Sequence, residues 1–350
     1  MLTAALRARG EVELIEVRQR FRMRPGGAGR RRNPLRSAAN LLLDAAWLHV
    51  GLPRAARAAA ADVLHHPLPA DSRGAPCPQV VTVQDVAFEL RPDDFDPVWR
   101  RLAGRRHRRA VRRAGAVVCI SEATARDAAG LLGAPRDRIV VAPLGPGQQL
   151  PPVPRVATPG HFLYVGDAEP RKGVGRLIAG YGEYRAGRTR AGTPSPAHPS
   201  GRTHPGAGRQ AGGDPLDLVL AGASAGEAAA AAPGVRGEAS PAPERLAELY
   251  ASAAALVHPS AHEGFGLTLL EAMTLGTPVV AVRNPAVEEV CGEAALLIER
   301  AELPAVLDRL QEDIELRDRL SEAGRARAAR FSWDEAARRH EAAYTLAVGP

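Results

Sequence analysis

Short apolar segments alternate with helical patterns along most of the 350-residue chain, and this order is typical of α/β proteins with parallel sheets. In the first half we predict strands at residues 12–17, 62–65, 79–83, 116–120 and 139–142. In the second half we predict strands at residues 162–165, 216–221, 254–258, 278–282 and 294–298. Because the alternation runs twice over similar lengths, the sequence predicts two α/β domains, each with its own core.

Proline-rich sequence separates the two halves. Residues 146–159 carry five prolines and little periodicity, which favours an extended linker over a packed element. We therefore predict a first domain at residues 1–148, a linker at 149–160 and a second domain at 161–332. Residues 186–215 are rich in Gly, Pro, Ser and Arg, and we interpret them as a disordered surface insertion. The last helix, at about residues 333–348, has an apolar face that needs a partner surface.

The charge of the chain raises the question of an anionic partner. The formal net charge is +7, and a single lysine, Lys172, stands among 46 basic residues. A lysine kept in so arginine-rich a chain indicates a place where a compact point charge is needed. Nucleic acid is not favoured as the partner, since aromatic residues make up only 4% of the chain and no recognition motif accompanies the charge.

The cysteines and histidines predict neither a metal site nor disulfides. Three well-separated cysteines without CxxC pairing are expected to be buried thiols: Cys77, Cys119 and Cys291. Three other residues lack metal-ligand spacing and are interpreted as local hydrogen-bonding groups: Asp85, His258 and His262. The chain has no apolar run long enough to cross a membrane, and its first ten residues lack the features of a secretory signal. We expect a cytoplasmic protein.

The strongest local motif is EGFGLTLLEAM, at residues 263–273. Gly264 and Gly266 predict a loop that runs into a helix beginning at about Leu267. The free N–H groups and positive dipole end of such a helix face the carboxyl edge of the sheet, where a phosphate would be stabilised. Glu263 and Glu271 flank that position, and carboxylates beside an anion suit hydrogen bonding to the vicinal hydroxyls of a sugar or a ribose.

A second motif, FLYVGDAEPRKGVGRLIAGY, also places a glycine-containing loop between a strand and a helix. Arg171 and Lys172 lie in that loop, at the carboxyl end of the predicted strand. A guanidinium and an ammonium there can neutralise a pyrophosphate between them, which makes a divalent metal unnecessary. Two adjacent basic residues often do no more than solvate a loop, but the single lysine and the neighbouring helix terminus favour a functional interpretation.

Four motifs in order resemble the retaining family 4 glycosyltransferases, which have the GT-B fold of two Rossmann-like domains facing a cleft. Along the chain the motifs are VCISEATARD, YVGDAEPRKGV, EGFGLTLLEAM and FSWDEAA, and the resemblance covers residues 62–344. It implies transfer of a hexosyl group, mannosyl or glucosyl, from a nucleotide-diphosphate sugar to a hydroxyl of a glycan, lipid-linked or cell-envelope acceptor. It also implies retention of anomeric configuration, no metal, no other cofactor and no protein general base.

The resemblance assigns roles to individual residues. Arg171 and Lys172 would bind the donor's diphosphate, Glu271 would hold the ribose hydroxyls, and Glu263 would contact the transferred sugar. The rest of the donor loop and its backbone N–H groups would cap the phosphates: Gly264, Phe265, Gly266, Leu267 and Thr268. The final helix would cross back onto the N-terminal domain, which accounts for its apolar face.

The N-terminal half departs from the family pattern in two ways. Gln84 stands after a strand where the family usually has a histidine, and a glutamine can contact a sugar hydroxyl but cannot carry a positive charge. The chain also opens on a helix-like segment where the family has a first strand and a glycine-rich loop. Either the start codon is assigned too far downstream, which we favour, or the N-terminal domain is truncated.

Two other functions compete with catalysis of transfer. A catalytically silent nucleotide-sugar-binding protein would account for Gln84 and the missing first strand. A sugar phosphorylase of related fold needs a pyridoxal cofactor and a lysine to hold it, and the one lysine already lies in the phosphate loop.

A cluster of arginines from Arg100 to Arg113 predicts a strongly basic helix. It suits attraction to anionic lipid headgroups and hence a peripheral position at the inner face of a membrane. The competing interpretation is a solvated helix face in a protein that uses arginine throughout.

Overall fold

The computed structural model describes residues 1–19, 34–192, 213–229 and 232–349. The chain forms two compact units: unit 1 comprises Met1–Gly145 and Ser332–Pro350, and unit 2 comprises Pro146–Phe331. Each unit carries one sheet of parallel strands, so the α/β fold prediction is confirmed.

The sheet of unit 1 has four strands in the order β1-β2-β3-β4. These are β1 (Leu64–His66), β2 (Gln79–Val83), β3 (Ala116–Cys119) and β4 (Ile139–Val141). The helices of this unit are α1 (Leu2–Arg9), α2 (Pro34–Ala46), α3 (Leu52–Ala58), α4 (Ala87–Leu90), α5 (Pro97–Arg113), α6 (Glu122–Asp127) and the C-terminal α14 (Trp333–Val348). Val81 and Val117 on one face of the sheet share a buried cluster with Val111 of α5, whereas Val80 on the other face packs with Ala343 of α14.

The sheet of unit 2 has six strands in the order β10-β9-β8-β5-β6-β7. These are β5 (His161–Val165), β6 (Asp217–Ala221), β7 (Val235–Glu238), β8 (Ala253–His258), β9 (Val279–Val282) and β10 (Leu296–Ile298). The helices are α7 (Val174–Gly192), α8 (Ala225–Ala229), α9 (Pro243–Ser252), α10 (Leu267–Thr274), α11 (Pro285–Cys291), α12 (Leu303–Glu312) and α13 (Ile314–Ala328). Phe162, Leu218 and Leu307 lie at the centre of its core.

Helix α14 belongs to unit 1 although it follows unit 2 in the sequence. It begins at Ser332, whose hydroxyl accepts a hydrogen bond from the Glu335 N–H at 3.1 Å. Ala343 is buried against the sheet, and Glu341 forms an ion pair with Arg9 of α1 at 2.9 Å. The apolar face of this helix is therefore covered by strands of the first unit.

Two predictions, one of a strand and one of a disordered segment, are wrong. Residues 12–17 form no strand: Ile15 and Val17 are exposed, so the segment has no buried face for a neighbouring strand to cover. Residues 186–192 complete helix α7 and are not part of a disordered insertion, because the buried Arg188 forms ion pairs with Asp308 and Glu312. Residues 193–212 lie outside the described residues, so the rest of that prediction stays untested.

Candidate active site

Two loops leave neighbouring strands of unit 2 at the same edge of the sheet. Strands β5 and β8 are adjacent and parallel, so residues 166–173 and 259–266 both begin at carboxyl ends. Gly173 lies where these loops touch: its φ is +76°, and a Cβ there would lie 2.8 Å from the carbonyl oxygen of Pro259. Both the backbone conformation and the close approach require glycine. This contact brings Lys172 beside the loop that carries Glu263.

Glu263 is held between two basic side chains. The Lys172 ammonium donates hydrogen bonds to both carboxylate oxygens, at 2.7 and 3.0 Å, and His258 Nε2 lies 3.2 Å from Oε1. Burial acts to raise the pKa of Glu263, but His258 and Lys172 outweigh it and hold the pKa below its ordinary value. Glu263 is therefore a carboxylate at neutral pH, and it forms an ion pair with Lys172.

Arg171 shares the loop with Lys172 but has a different partner. Its Nε donates a hydrogen bond to Glu169 Oε2 at 2.7 Å, and this pair is more exposed than the Lys172–Glu263 pair. The loop is tightened by a backbone hydrogen bond from the Lys172 N–H to the Glu169 carbonyl at 2.9 Å. The two predicted cations thus project from one turn, each engaged by a carboxylate.

Helix α10 begins at Leu267, where the sequence predicted it. Gly266 caps it in the left-handed region, with φ of 109°, and a Cβ there would lie 2.6 Å from Cδ1 of Leu269. Phe265 is buried, and its ring meets the edge of Phe331 with the centroids 5.9 Å apart. The first N–H groups of the helix, at Leu267 and Thr268, have no acceptor within the helix and suit an anion.

Glu271 lies one turn further into α10 and is almost fully buried. Its Oε1 accepts a hydrogen bond from the Gln148 N–H at 2.9 Å, and its Oε2 accepts one from the Tyr250 hydroxyl at 3.0 Å. Burial raises the pKa of Glu271, and these two hydrogen bonds oppose that rise. Among the described residues, no ion pair joins Glu271 to Arg171 or Lys172, whose carboxylate partners are Glu169 and Glu263.

Gln84 lies in unit 1, at the carboxyl end of β2, whereas the other predicted site residues lie in unit 2. Its side chain is exposed, and its Nε2 donates only a long hydrogen bond, of 3.5 Å, to the Pro67 carbonyl. The amide is therefore available for another partner.

His258 is interpreted from the sequence as a local hydrogen-bonding residue, and the structure places it, 6% exposed, against the carboxylate of Glu263 in the following loop. The sequence gives no sign that this partner is a predicted site residue. Sequence reasoning missed the two partners of Glu271, Tyr250 and Gln148, because they are 21 and 123 residues distant in sequence and carry no motif.

Neither a metal centre nor a membrane span is found in the part of the chain that the structure describes. No group of three or more His, Cys, Asp or Glu side chains there is placed to hold a metal ion. None of the described helices is both long enough and apolar enough to cross a bilayer.

Two family models match this chain. Residues 1–145 match Glycosyltransferase Family 4, and residues 238–327, which include Glu263 and Glu271, match Glycosyl transferases group 1. The chain belongs to the family 4 glycosyltransferases.

Curated relatives of this family 4 chain match it over part of their length. The MMP alpha-(1->4)-mannosyltransferase of Mycolicibacterium hassiacum is 45% identical over 112 residues, which are 30% of this chain and 27% of the relative. The D-inositol 3-phosphate glycosyltransferase of Acidothermus cellulolyticus is 31% identical over 235 residues, which are 60% of this chain and 48% of the relative. The chain thus spans less than half the length of these relatives.

Solved structures match the fold of the family 4 chain over most of its length. HepE of Anabaena, in complex with UDP-glucose, has a TM-score of 0.61 at 18% identity, covering 89% of this chain and 83% of HepE. The structural neighbours are GT-B glycosyltransferases, so the predicted GT-B class, two Rossmann-like domains, is confirmed.

Proposed function

We propose that this chain transfers a hexosyl group, mannosyl or glucosyl, from a nucleotide-diphosphate sugar to a hydroxyl of a glycan, lipid-linked or cell-envelope acceptor, with retention of configuration. One observation carries the proposal: Lys172, Glu263 and the start of α10 meet at the carboxyl edge of the unit 2 sheet. An ammonium and free helix N–H groups suit a diphosphate, and a carboxylate beside them suits a sugar hydroxyl. The M. hassiacum relative is a mannosyltransferase and HepE holds UDP-glucose, which supports a hexosyl donor.

The residues at this edge of the sheet can stabilise the negative charge of the leaving group. Cleavage of the glycosyl–phosphate bond builds negative charge on the departing diphosphate, and Lys172, Arg171 and the α10 N–H groups stabilise that charge most strongly in the transition state. The departing phosphate oxygen takes the proton of the acceptor hydroxyl, so no side chain is assigned as a general base. Retention, a reaction without metal and a cytoplasmic location stay predictions.

Substitution of the single lysine tests this function. Wild type is assayed with GDP-mannose and UDP-glucose for donor binding and for release of nucleoside diphosphate, with and without sugar acceptors. We expect Lys172→Gln to lower the rate of release about a hundredfold or more, as loss of one charge-stabilising donor does. Arg319→Gln removes an exposed cation from α13 of the same unit and serves as the matched control. Equal rates in the two variants would contradict the assignment of Lys172.

A silent nucleotide-sugar-binding protein is the second candidate. The observation that favours it is the glutamine at position 84, which cannot become positively charged as a histidine can. Donor binding that depends on Lys172, without any release of nucleoside diphosphate, would support this candidate over the transferase.

Helix α5 supports a peripheral contact with anionic membranes as part of the proposal. Its first turns expose three large apolar side chains, Val98, Trp99 and Leu102, at 64%, 49% and 58%. Further along the helix, Arg105 and Arg112 follow Val98 and Leu102 at the spacing of one helical face. Apolar residues that enter the acyl boundary and arginines that meet the headgroups are the pattern of an interfacial helix.

A further inference from the structure

Lys172 and Glu263 neutralise each other at the position where the proposed donor places its terminal phosphate. The Glu263 side chain is only 10% exposed, and both of its oxygens accept hydrogen bonds from the ammonium. In so poorly hydrated a place, charges interact more strongly than they do in water. A phosphate that approaches Lys172 must therefore compete with Glu263 for the ammonium, and it also meets the negative charge of that carboxylate.

Several contacts restrain Glu263 and the loops on either side of it. His258 lies 3.2 Å from Oε1 of Glu263, and its imidazole is itself buried, so solvent does not reach the carboxylate from that side. The loop before Glu263 is fixed by a hydrogen bond from Asn284 Nδ2 to the Ser260 carbonyl at 3.2 Å and by one from the Ser260 hydroxyl to the His262 carbonyl at 2.9 Å. The close approach of Gly173 to Pro259 fixes the other loop.

We propose that Glu263 discriminates between donor and product by charge: its carboxylate repels the free nucleoside diphosphate more than the nucleotide sugar and so promotes product release. This inference rests on the proposed function, since it takes a nucleotide-diphosphate sugar as the ligand of the site.

The chemistry of the two ligands gives the discrimination its direction. In a nucleotide sugar both phosphates are esterified, so each carries one negative charge. When the sugar leaves, the terminal phosphate gains a second ionisable proton, which is lost with a pKa of about 6. The product therefore carries more negative charge than the donor at neutral pH, and it carries the extra charge on the phosphate that faces Lys172 and Glu263. Coulomb repulsion by the carboxylate grows with that charge.

The opposite role for Glu263 makes the opposite prediction. If the carboxylate only orients the Lys172 ammonium toward phosphate, its removal would weaken the binding of every nucleoside diphosphate. If it repels the product, its removal tightens the binding of the free diphosphate and has a smaller effect on an ester of the same diphosphate. The sign of the change in affinity therefore decides between the two roles.

Isothermal titration calorimetry of the full chain tests this inference with UDP, GDP and the β-methyl esters of both, which lack the extra charge and the sugar. We expect Glu263→Gln to bind the free diphosphates about tenfold or more tightly than wild type, and to bind the esters with a smaller change. Glu248→Gln, which removes an exposed carboxylate of α9 in the same unit, should match wild type for all ligands. Unchanged or weaker binding of UDP and GDP by Glu263→Gln would overturn the inference.

A measurement on wild type covers the case in which Glu263→Gln does not fold. There we expect the β-methyl ester to bind at least as tightly as the free diphosphate, although a purely cationic site would favour the more negative ligand. Free diphosphate bound more than tenfold more tightly than its ester would overturn the inference on its own. If wild type binds none of the four ligands, the nucleotide site itself is wrong and the inference fails with it, an outcome distinct from the other two.

Discussion

Gly173 stands directly against the carbonyl oxygen of Pro259, and this approach joins the loop of Lys172 to the loop of Glu263. The glycine has φ of +76°, and an added Cβ would lie 2.8 Å from that oxygen. Backbone atoms, unlike the end of a flexible side chain, cannot give way without moving the loop. The pairing of Lys172 with Glu263 therefore depends on Gly173, the residue that follows Lys172 and has no side chain.

Gly173→Ala should separate the two loops and weaken the site. We expect a loss of about 1–3 kcal/mol in the free energy of unfolding, because the substitution combines an unfavourable φ with a steric contact. Urea unfolding measures the loss, and calorimetry with UDP or GDP should show weaker binding. Gly175→Ala is the matched control: it lies two residues on, in helix α7, where a Cβ meets nothing within 4 Å. That variant should be as stable as wild type or more stable.

Glu271 should make the stability of the protein depend on pH. Its carboxylate is buried and its pKa is raised above the ordinary value of 4.5, so the folded state binds a proton more readily than the unfolded state. Stability from this group therefore increases as pH falls through the folded pKa, and it is lost as pH rises through that pKa. At pH 8 the buried charge lowers stability, and well below pH 4.5 it does not.

Glu271→Gln removes the charge and keeps the hydrogen bonds. The amide oxygen can still accept from the Gln148 N–H, and the amide nitrogen can donate to the Tyr250 hydroxyl. We expect the variant to exceed wild type at pH 8 in the free energy of unfolding, with the difference shrinking toward pH 4. Urea unfolding at several pH values measures it. A variant less stable than wild type at pH 8 would show that the carboxylate is stabilised by its two donors.

Apolar strands could be predicted from the sequence even at the edge of a sheet, as at β4 and β10, whereas a polar edge strand could not. Strand β2 (Gln79–Val83) is mostly apolar and lies inside the sheet of unit 1, and its apolar composition correctly indicates a buried strand. Strand β7 (Val235–Glu238) lies at the edge of its sheet, contains an arginine and a glutamate, and was not predicted. Residues 12–17 have the alternation of a strand without a partner, because pairing is decided by tertiary structure and not by local pattern.

The contacts of the candidate site could likewise be predicted only in part. Lys172 and Glu263 are 91 residues apart, yet their closeness followed from placing both at carboxyl ends of parallel strands. The hydrogen bond between Tyr250 and Glu271 could not be predicted, since a buried tyrosine in a helical pattern resembles any core residue. His258 closes an otherwise apolar strand, and its contact with Glu263 depends on the turn of residues 259–262, whose conformation has no sequence code.

The exposed arginines of α5 should determine whether the protein binds anionic vesicles. Arg101, Arg105 and Arg106 are all exposed, and each basic group near an anionic surface contributes about 1 kcal/mol. We expect the triple substitution to glutamine to lower binding to phosphatidylglycerol-containing vesicles more than tenfold in sedimentation assays, with little binding of either protein to pure phosphatidylcholine. Unfolding by urea should be unchanged. Vesicle binding that survives the triple substitution would assign the arginines to a solvated face.

Gln84→His tests whether the glutamine limits the reaction. The side chain lies exposed at the carboxyl end of β2 and makes only one long hydrogen bond, so an imidazole fits without loss of packing. A histidine can carry a positive charge or transfer a proton, and groups placed for such chemistry contribute about a hundredfold or more. We expect at least tenfold faster sugar transfer, with the affinity for UDP or GDP unchanged because Lys172 and the α10 N–H groups lie in unit 2.

Gln84→Ala distinguishes an effect of the ionisable imidazole from an effect of losing the glutamine side chain. It removes the amide without adding an ionisable group, so its transfer rate should equal or fall below that of wild type while the histidine variant exceeds both. The pH profile carries a second signature: the gain of Gln84→His should vary between pH 5 and 8, the range in which a histidine titrates, and wild type should show no such step. A histidine variant as slow as Gln84→Ala at every pH would mean that residue 84 does not limit transfer. The second candidate, a protein that binds nucleotide sugars without transferring them, would then gain support if wild type also released no nucleoside diphosphate.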